Sequence, residues 1–105
     1  MIDIEKLKEI YENDEIYVTV HVSEKIRVRS IKMRDIRSAV MNGEIIEQYP
    51  EDFPYPSCLI LGYTLSGEPL HIVMSYEGSR SSLITAYKPD PDKWSNDFKT
   101  RKERK

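Results

Sequence analysis

The chain has one cysteine, Cys58, and two histidines, His21 and His71. A single cysteine excludes an intrachain disulfide and any cysteine-based zinc site built within one chain. No apolar run approaches the roughly 20 residues that cross a bilayer. The N-terminus, Met1-Ile2-Asp3-Ile4-Glu5, is acidic and lacks the basic start and apolar stretch of a signal peptide. These absences lead us to expect a cytoplasmic protein. There is no glycine-rich phosphate loop, no His-Glu-x-x-His zinc motif and no Gly-x-Ser-x-Gly nucleophile elbow. Repeats and low-complexity stretches are also missing, and neither a metal nor a cofactor is expected.

What is present fits one folded domain. At 105 residues the chain is about the size of a single domain with one core. Charged residues are plentiful, yet the apolar content and the seven tyrosines argue against disorder. The net charge of −2 hides a pattern: residues 1–20 sum to −4, residues 21–40 to +4, residues 41–60 to −4, and residues 81–105 to +3. A basic block between acidic ones is either a phosphate-binding stripe or a solvated helix face paired with its neighbours. Charge alone favours the second.

Periodicity divides the chain into helices in its first half and an antiparallel sheet in its second, an α+β class. Ile4, Leu7 and Tyr11 recur at helical spacing, and that helix ends near Asn13-Asp14. Residues 16–22 alternate like a strand, but Val22, Ile26 and Arg29 also fit a helix face with Thr19 as N-cap. We expect an extended lead-in and then a helix over about 20–29. Met33, Ile36, Ala39 and Val40 mark a helix over 32–42. Ile31 is spaced from Ile36 like a hydrophobic staple. Asn42-Gly43 stops this helix, on the expectation that Gly43 takes the left-handed conformation. Strands follow at 44–49, 57–64, 69–76 and 82–87, with prolines making 50–56 irregular and turns at Ser66-Gly67 and Gly78-Ser79. Trp94 and Phe98, four apart, suggest a short terminal helix. Residues 100–105 read as a basic tail outside a core of about 16–99.

Several residues could carry chemistry. His21, Lys25 and Arg29 are spaced four apart, so a helix over 20–29 lines them on one face that could hold a phosphate. The plainer alternative is pairing with acids such as Glu24 or Asp35. His71 has opposite parity to Leu70, Ile72 and Met74, and so points to the other face of the sheet. It is either buried with a hydrogen-bond partner or lining a cleft. Tyr87 on the last strand has the same two possibilities, and its ring could stack on a base. Cys58 sits in an apolar strand and reads as core.

The order of several short motifs resembles an uncharacterised bacterial family. The residues are His21-Val22-Ser23-Glu24-Lys25-Ile26-Arg27-Val28-Arg29-Ser30-Ile31, Asp35-Ile36 and Gly43-Glu44-Ile45-Ile46, then Leu70-His71-Ile72-Val73, Thr85-Ala86-Tyr87-Lys88-Pro89 and Trp94. That family is similar to the BrnT-type toxins of the RelE/ParE superfamily. Val22 stands where a small residue is usual. Lys25 stands where arginine is usual, which keeps the charge but loses the bidentate fork. The resemblance implies a RelE/BrnT-like fold, with N-terminal helices on a four-stranded antiparallel sheet and a short C-terminal helix. It also implies a metal-independent endoribonuclease of a toxin–antitoxin pair, with RNA as substrate and a cognate antitoxin as partner.

Under that expectation His21 and His71 transfer protons while Tyr87 orients or stacks. Lys25, Arg29 and Lys88 supply positive charge to the substrate. One cleft must then gather the second helix and the last two strands. A second reading is a non-catalytic RNA- or protein-binding module in which the histidines are structural. A DNA-binding regulator built on residues 20–42 ranks last, because the sheet would be idle.

Overall fold

Three short helices come first, each started by a different device. The computed structural model describes residues 1–102. Helix α1 (Ile4–Glu12) is capped by Asp3, whose carboxylate accepts from the Glu5 N–H at 2.9 Å. It buries Leu7, Ile10 and Tyr11. Helix α2 (Val20–Val28) is capped by the Thr19 hydroxyl, which accepts from Val22 N–H at 3.2 Å. Its one fully buried side chain is Ile26, so amphipathic burial holds it only weakly. Helix α3 (Met33–Met41) has Lys32 at its N-cap with no side-chain cap. Ile31 and Ile36 are both buried there, in the two positions a hydrophobic staple requires.

The strands are β1 (Ile16–Tyr17), β2 (Glu44–Tyr49), β3 (Ser57–Tyr63), β4 (Pro69–Ser75) and β5 (Ser81–Tyr87). They form one sheet in the order β1-β5-β4-β3-β2. Neighbours from β5 to β2 are antiparallel. The fifth strand corrects the expected four. The extended lead-in after α1 pairs in parallel with β5, Ile16 against Ser81 and Tyr17 against Ser82. Its partner lies far along the chain, so local alternation could reveal the strand but not its pairing. The sheet is therefore mixed.

Cross-strand partners share a face. Cys58 with Met74 and Ile60 with Ile72 point toward the helices and join Leu7, Ile26, Ile36, Ala39 and Val40 in the main core. Burial pushes the Cys58 thiol up to about 12, which suits a core residue. Leu59 and Leu61 have the opposite parity but are also buried. The C-terminal segment, which meets His71 on this face, is not the expected helix. Residues 91–100 form turns, closed by an isolated bridge between Trp94 and Arg101. Trp94 and Phe98 do pin this segment to the body, but with irregular backbone; Phe98 has a positive φ, which a helix does not allow.

Helix α3 lies directly on β3. A Cβ added to Gly62 would fall 1.8 Å from the Ala39 carbonyl oxygen. One added to Gly43 would fall 2.3 Å from the same atom. Gly43 is thus required by close approach. Its φ is not positive, contrary to the left-handed stop expected from sequence; Gly67 and Gly78 are the glycines with positive φ. Asn42 completes the junction. Its side-chain amide donates to Tyr63 O and its carbonyl accepts from Tyr63 N–H, both at 2.9 Å.

Gly62→Ala should therefore lower stability by roughly 1–3 kcal/mol, the usual cost of overpacking, because the obstacle is backbone and cannot rotate away. Urea unfolding checks this, with Gly67→Ala as a control at an uncrowded turn, where any destabilisation should come from backbone strain alone.

Candidate functional site

The expected residues fall into separate groups. On α2, the 3.6-residue period brings His21, Lys25 and Arg29 to one side, as their spacing implied. Together with Glu24 and Val28 they line a shallow groove of about 330 Å³. Arg27 and Lys32 line a second groove of about 420 Å³, with Ser23 and Ser30. Lys25, Arg27, Lys32 and Arg34 are all exposed. Among the described residues none of the four has a carboxylate oxygen within 4.0 Å; the ion pairs are Lys8–Glu5, Arg80–Glu77, Lys99–Glu44 and Arg101–Glu47. The Lys25 pairing with Glu24 or Asp35 considered from sequence does not form.

Arg29 is differently engaged. It closes α2 as the C-cap residue, and its Nη1 donates to Thr85 Oγ1 and to the Ala86 carbonyl, each at 2.9 Å. This ties α2 to β5. Lys88 lies in a different small cavity, whose lining includes Asp35 and Glu68. The structure does not bring it into the His21 groove.

His71 and Tyr87 sit opposite each other on β4 and β5. The Tyr87 hydroxyl and His71 Nδ1 are 3.2 Å apart. His71 is fully buried, on the sheet face that points away from the helices. Its Nε2 is 2.8 Å from the Phe98 carbonyl oxygen. A carbonyl can only accept, so Nε2 carries the proton. In the neutral ring Nδ1 then accepts from the Tyr87 hydroxyl. The Trp94 ring meets the imidazole edge-on at a centroid distance of 4.4 Å.

The cover over this pair is fastened at the far edge of the sheet. The Arg101 guanidinium lies 4.7 Å from the centroid of the Trp94 ring. It donates to both carboxylate oxygens of Glu47 on β2, at 3.0 and 3.1 Å. That fork holds the Glu47 carboxyl below its usual range, and the same contact raises the Arg101 pKa. Lys99 adds an ion pair to Glu44 at 2.8 Å. Arg101, read from sequence as part of a basic tail, thus belongs to the packed structure; residues 103–105 lie outside the described residues.

One cleft containing His21, His71 and Tyr87 is not what these positions form. The reason is strand parity: His71 faces through the sheet, away from the layer that carries His21. Chemically, the cationic grooves can hold anions. In the His71–Tyr87 pair both ring nitrogens are occupied and the imidazole is fully buried, while Tyr87 is half-buried. Sequence reasoning missed Glu47 and Arg101, and named Thr85 only within a motif, without its contact to Arg29. A charged residue inside the half-buried strand β2 was the one available hint for Glu47.

Burial is the main reason the His71 pKa lies below its ordinary value; the Phe98 carbonyl acts against it. The unfolded chain therefore binds this proton more readily. The resulting stability is complete above pH 6.5 and is lost as pH falls from there through the depressed folded value. Urea midpoints measured across that window should decline in the wild type, and His71→Gln should remove this part of the decline. Arg101→Ala should loosen the cover and expose Trp94, the only tryptophan. Acrylamide quenching of its fluorescence should increase, with β-sheet circular dichroism unchanged.

Comparison with known proteins places the chain in a family. The model of a family described as a domain of unknown function (DUF4258) covers residues 18–88. No curated protein and no solved structure matches.

Proposed function

We propose that this chain, which belongs to the DUF4258 family, is an RNA-binding domain that holds the phosphate backbone with the outer face of α2 and the α2–α3 turn. One observation carries this reading: Lys25, Arg27 and Lys32 border two adjoining grooves with no carboxylate partner among the described residues. Unneutralised cations at close spacing favour an anionic polymer, whose bound counterions they release. Single-stranded RNA suits shallow grooves better than a duplex does, because Arg29 ties α2 to β5 rather than leaving it free to enter a major groove. In this reading His21 is a hydrogen-bonding neighbour of the phosphates, and Arg29 positions α2.

A second reading is favoured by the His71–Tyr87 contact. A phenol and an imidazole 3.2 Å apart are a competent proton-transfer pair once the C-terminal cover moves. This would be the metal-independent endoribonuclease of a BrnT- or RelE-like toxin, restrained by a cognate antitoxin. Both readings predict RNA binding; only the second predicts cleavage.

Fluorescence anisotropy with a labelled single-stranded oligoribonucleotide, titrated across salt, separates them. Binding should weaken linearly on logarithmic axes, and Lys25→Gln with Arg27→Gln should lower the slope by about 0.7 for each phosphate that is no longer neutralised. Absence of binding at low salt, or binding indifferent to salt, would sink the RNA-binding reading. Electrophoresis of the same RNA in excess chelator should show it intact. Cleavage that Tyr87→Phe reduces about 100-fold or more would establish the toxin reading instead.

A further inference from the structure

The connection between β2 and β3 carries an unusual side chain. Phe53 is 93% exposed, between the exposed Glu51 and Asp52 on one side and Pro54 on the other. Asp52 is fixed by the Ser57 hydroxyl, so the loop is held from beneath while its aromatic ring stands in solvent. Isolated exposed apolar residues are ordinary. A bare phenylalanine set among acids at the tip of an anchored loop has the make-up of an interface anchor.

A complementary feature lies elsewhere on the same molecule. Ile16, Val18 and the half-exposed Met33 floor a cavity of about 310 Å³ between β1 and the start of α3. Arg34 and Arg37 border it, with Asp14 as the one acid. Among the described residues neither arginine has a carboxylate partner. Arg37 does donate to the Tyr11 carbonyl at 3.1 Å, which holds the guanidinium at the cavity's edge. The cavity is thus apolar at its base and positive at its border, the inverse of the Phe53 loop.

We propose that this chain associates with a second copy of itself, the Phe53 ring of one protomer filling the Ile16–Val18–Met33 cavity of the other while Glu51 meets Arg34 and Arg37. Every protomer carries both the projection and the cavity, so a two-fold pair can satisfy both contacts at once, whereas a head-to-tail arrangement would leave one of each free at the ends of an open chain. The cations assigned to RNA, Lys25, Arg27 and Lys32, line other grooves. Met33 borders both this cavity and the groove of Arg27 and Lys32, so the two surfaces adjoin; the interface rests on Phe53, Glu51, Arg34 and Arg37 and is tested through Phe53, Glu51 and Arg34 alone.

Sedimentation velocity on the full chain, from micromolar to millimolar concentration, tests it. The wild type should self-associate reversibly, and less at high salt. Phe53→Ala changes an exposed side chain and should leave the fold intact while weakening association tenfold or more. Glu51→Arg and Arg34→Glu should each impair association alone, and an equimolar mixture of the two should restore it. A wild type that stays monomeric at millimolar concentration overturns the proposal. So does Phe53→Ala assembling like the wild type, or a charge-swapped mixture that does not recover.

Discussion

The contact of α3 with β3 is the constraint on which the rest is built. Ala39 rests its backbone against Gly62 and Gly43, so helix and sheet lie closer than side chains would ordinarily allow. That depth lets Ile36 and Val40 reach Ile60 and Ile72 in the common core. It also fixes where the α2–α3 turn emerges, and hence where Arg27 and Lys32 are displayed. The cationic grooves belong to short helices with modest burial of their own; their placement is inherited from this junction and from the anchoring of α2 on β5 by Arg29.

Much of the architecture was legible because its signals are local. Helix periods, the Thr19 cap, the Ile31–Ile36 pair and the turns around Gly67 and Gly78 put most element ends within about two residues of their observed positions. The side of the sheet taken by His71 also followed from alternation. The misses share a cause, which is dependence on partners far along the chain. β1 needed Ser81, and the C-terminal segment needed Glu47 and His71. Gly43 was recognised as necessary but for the wrong reason, since a sequence shows that a glycine is present and not which atom crowds it. Of the candidate site, the α2 face was readable from spacing. The separation of His21 from His71 was not, because nothing local says which layer of the fold covers the second face of a sheet.

The two faces of the sheet consequently differ in character. Facing the helices is a broad aliphatic core. The other side is a narrow arrangement of Tyr87, His71, Trp94, Arg101 and Glu47, each touching the next, which runs from β5 across to β2. Aliphatic packing tolerates modest repacking. A chain of polar and aromatic contacts with one hydrogen-bonding solution does not, since removing one member leaves its neighbour unpaired. The tautomer of His71 is set by that arrangement.

Arg29 has a role beyond joining a helix to a sheet. β1 covers β5 only at Ser81 and Ser82, so from Leu83 onward β5 is an outer strand, with Ile84 partly bare. Uncovered strand edges recruit other chains into open-ended stacks. Arg29 sets a charged, hydrated group on the Ala86 carbonyl at this edge. A protein without it would gain a free β-template as well as a looser α2, so the fault would show as insoluble, fibril-like material and not only as a lower melting temperature.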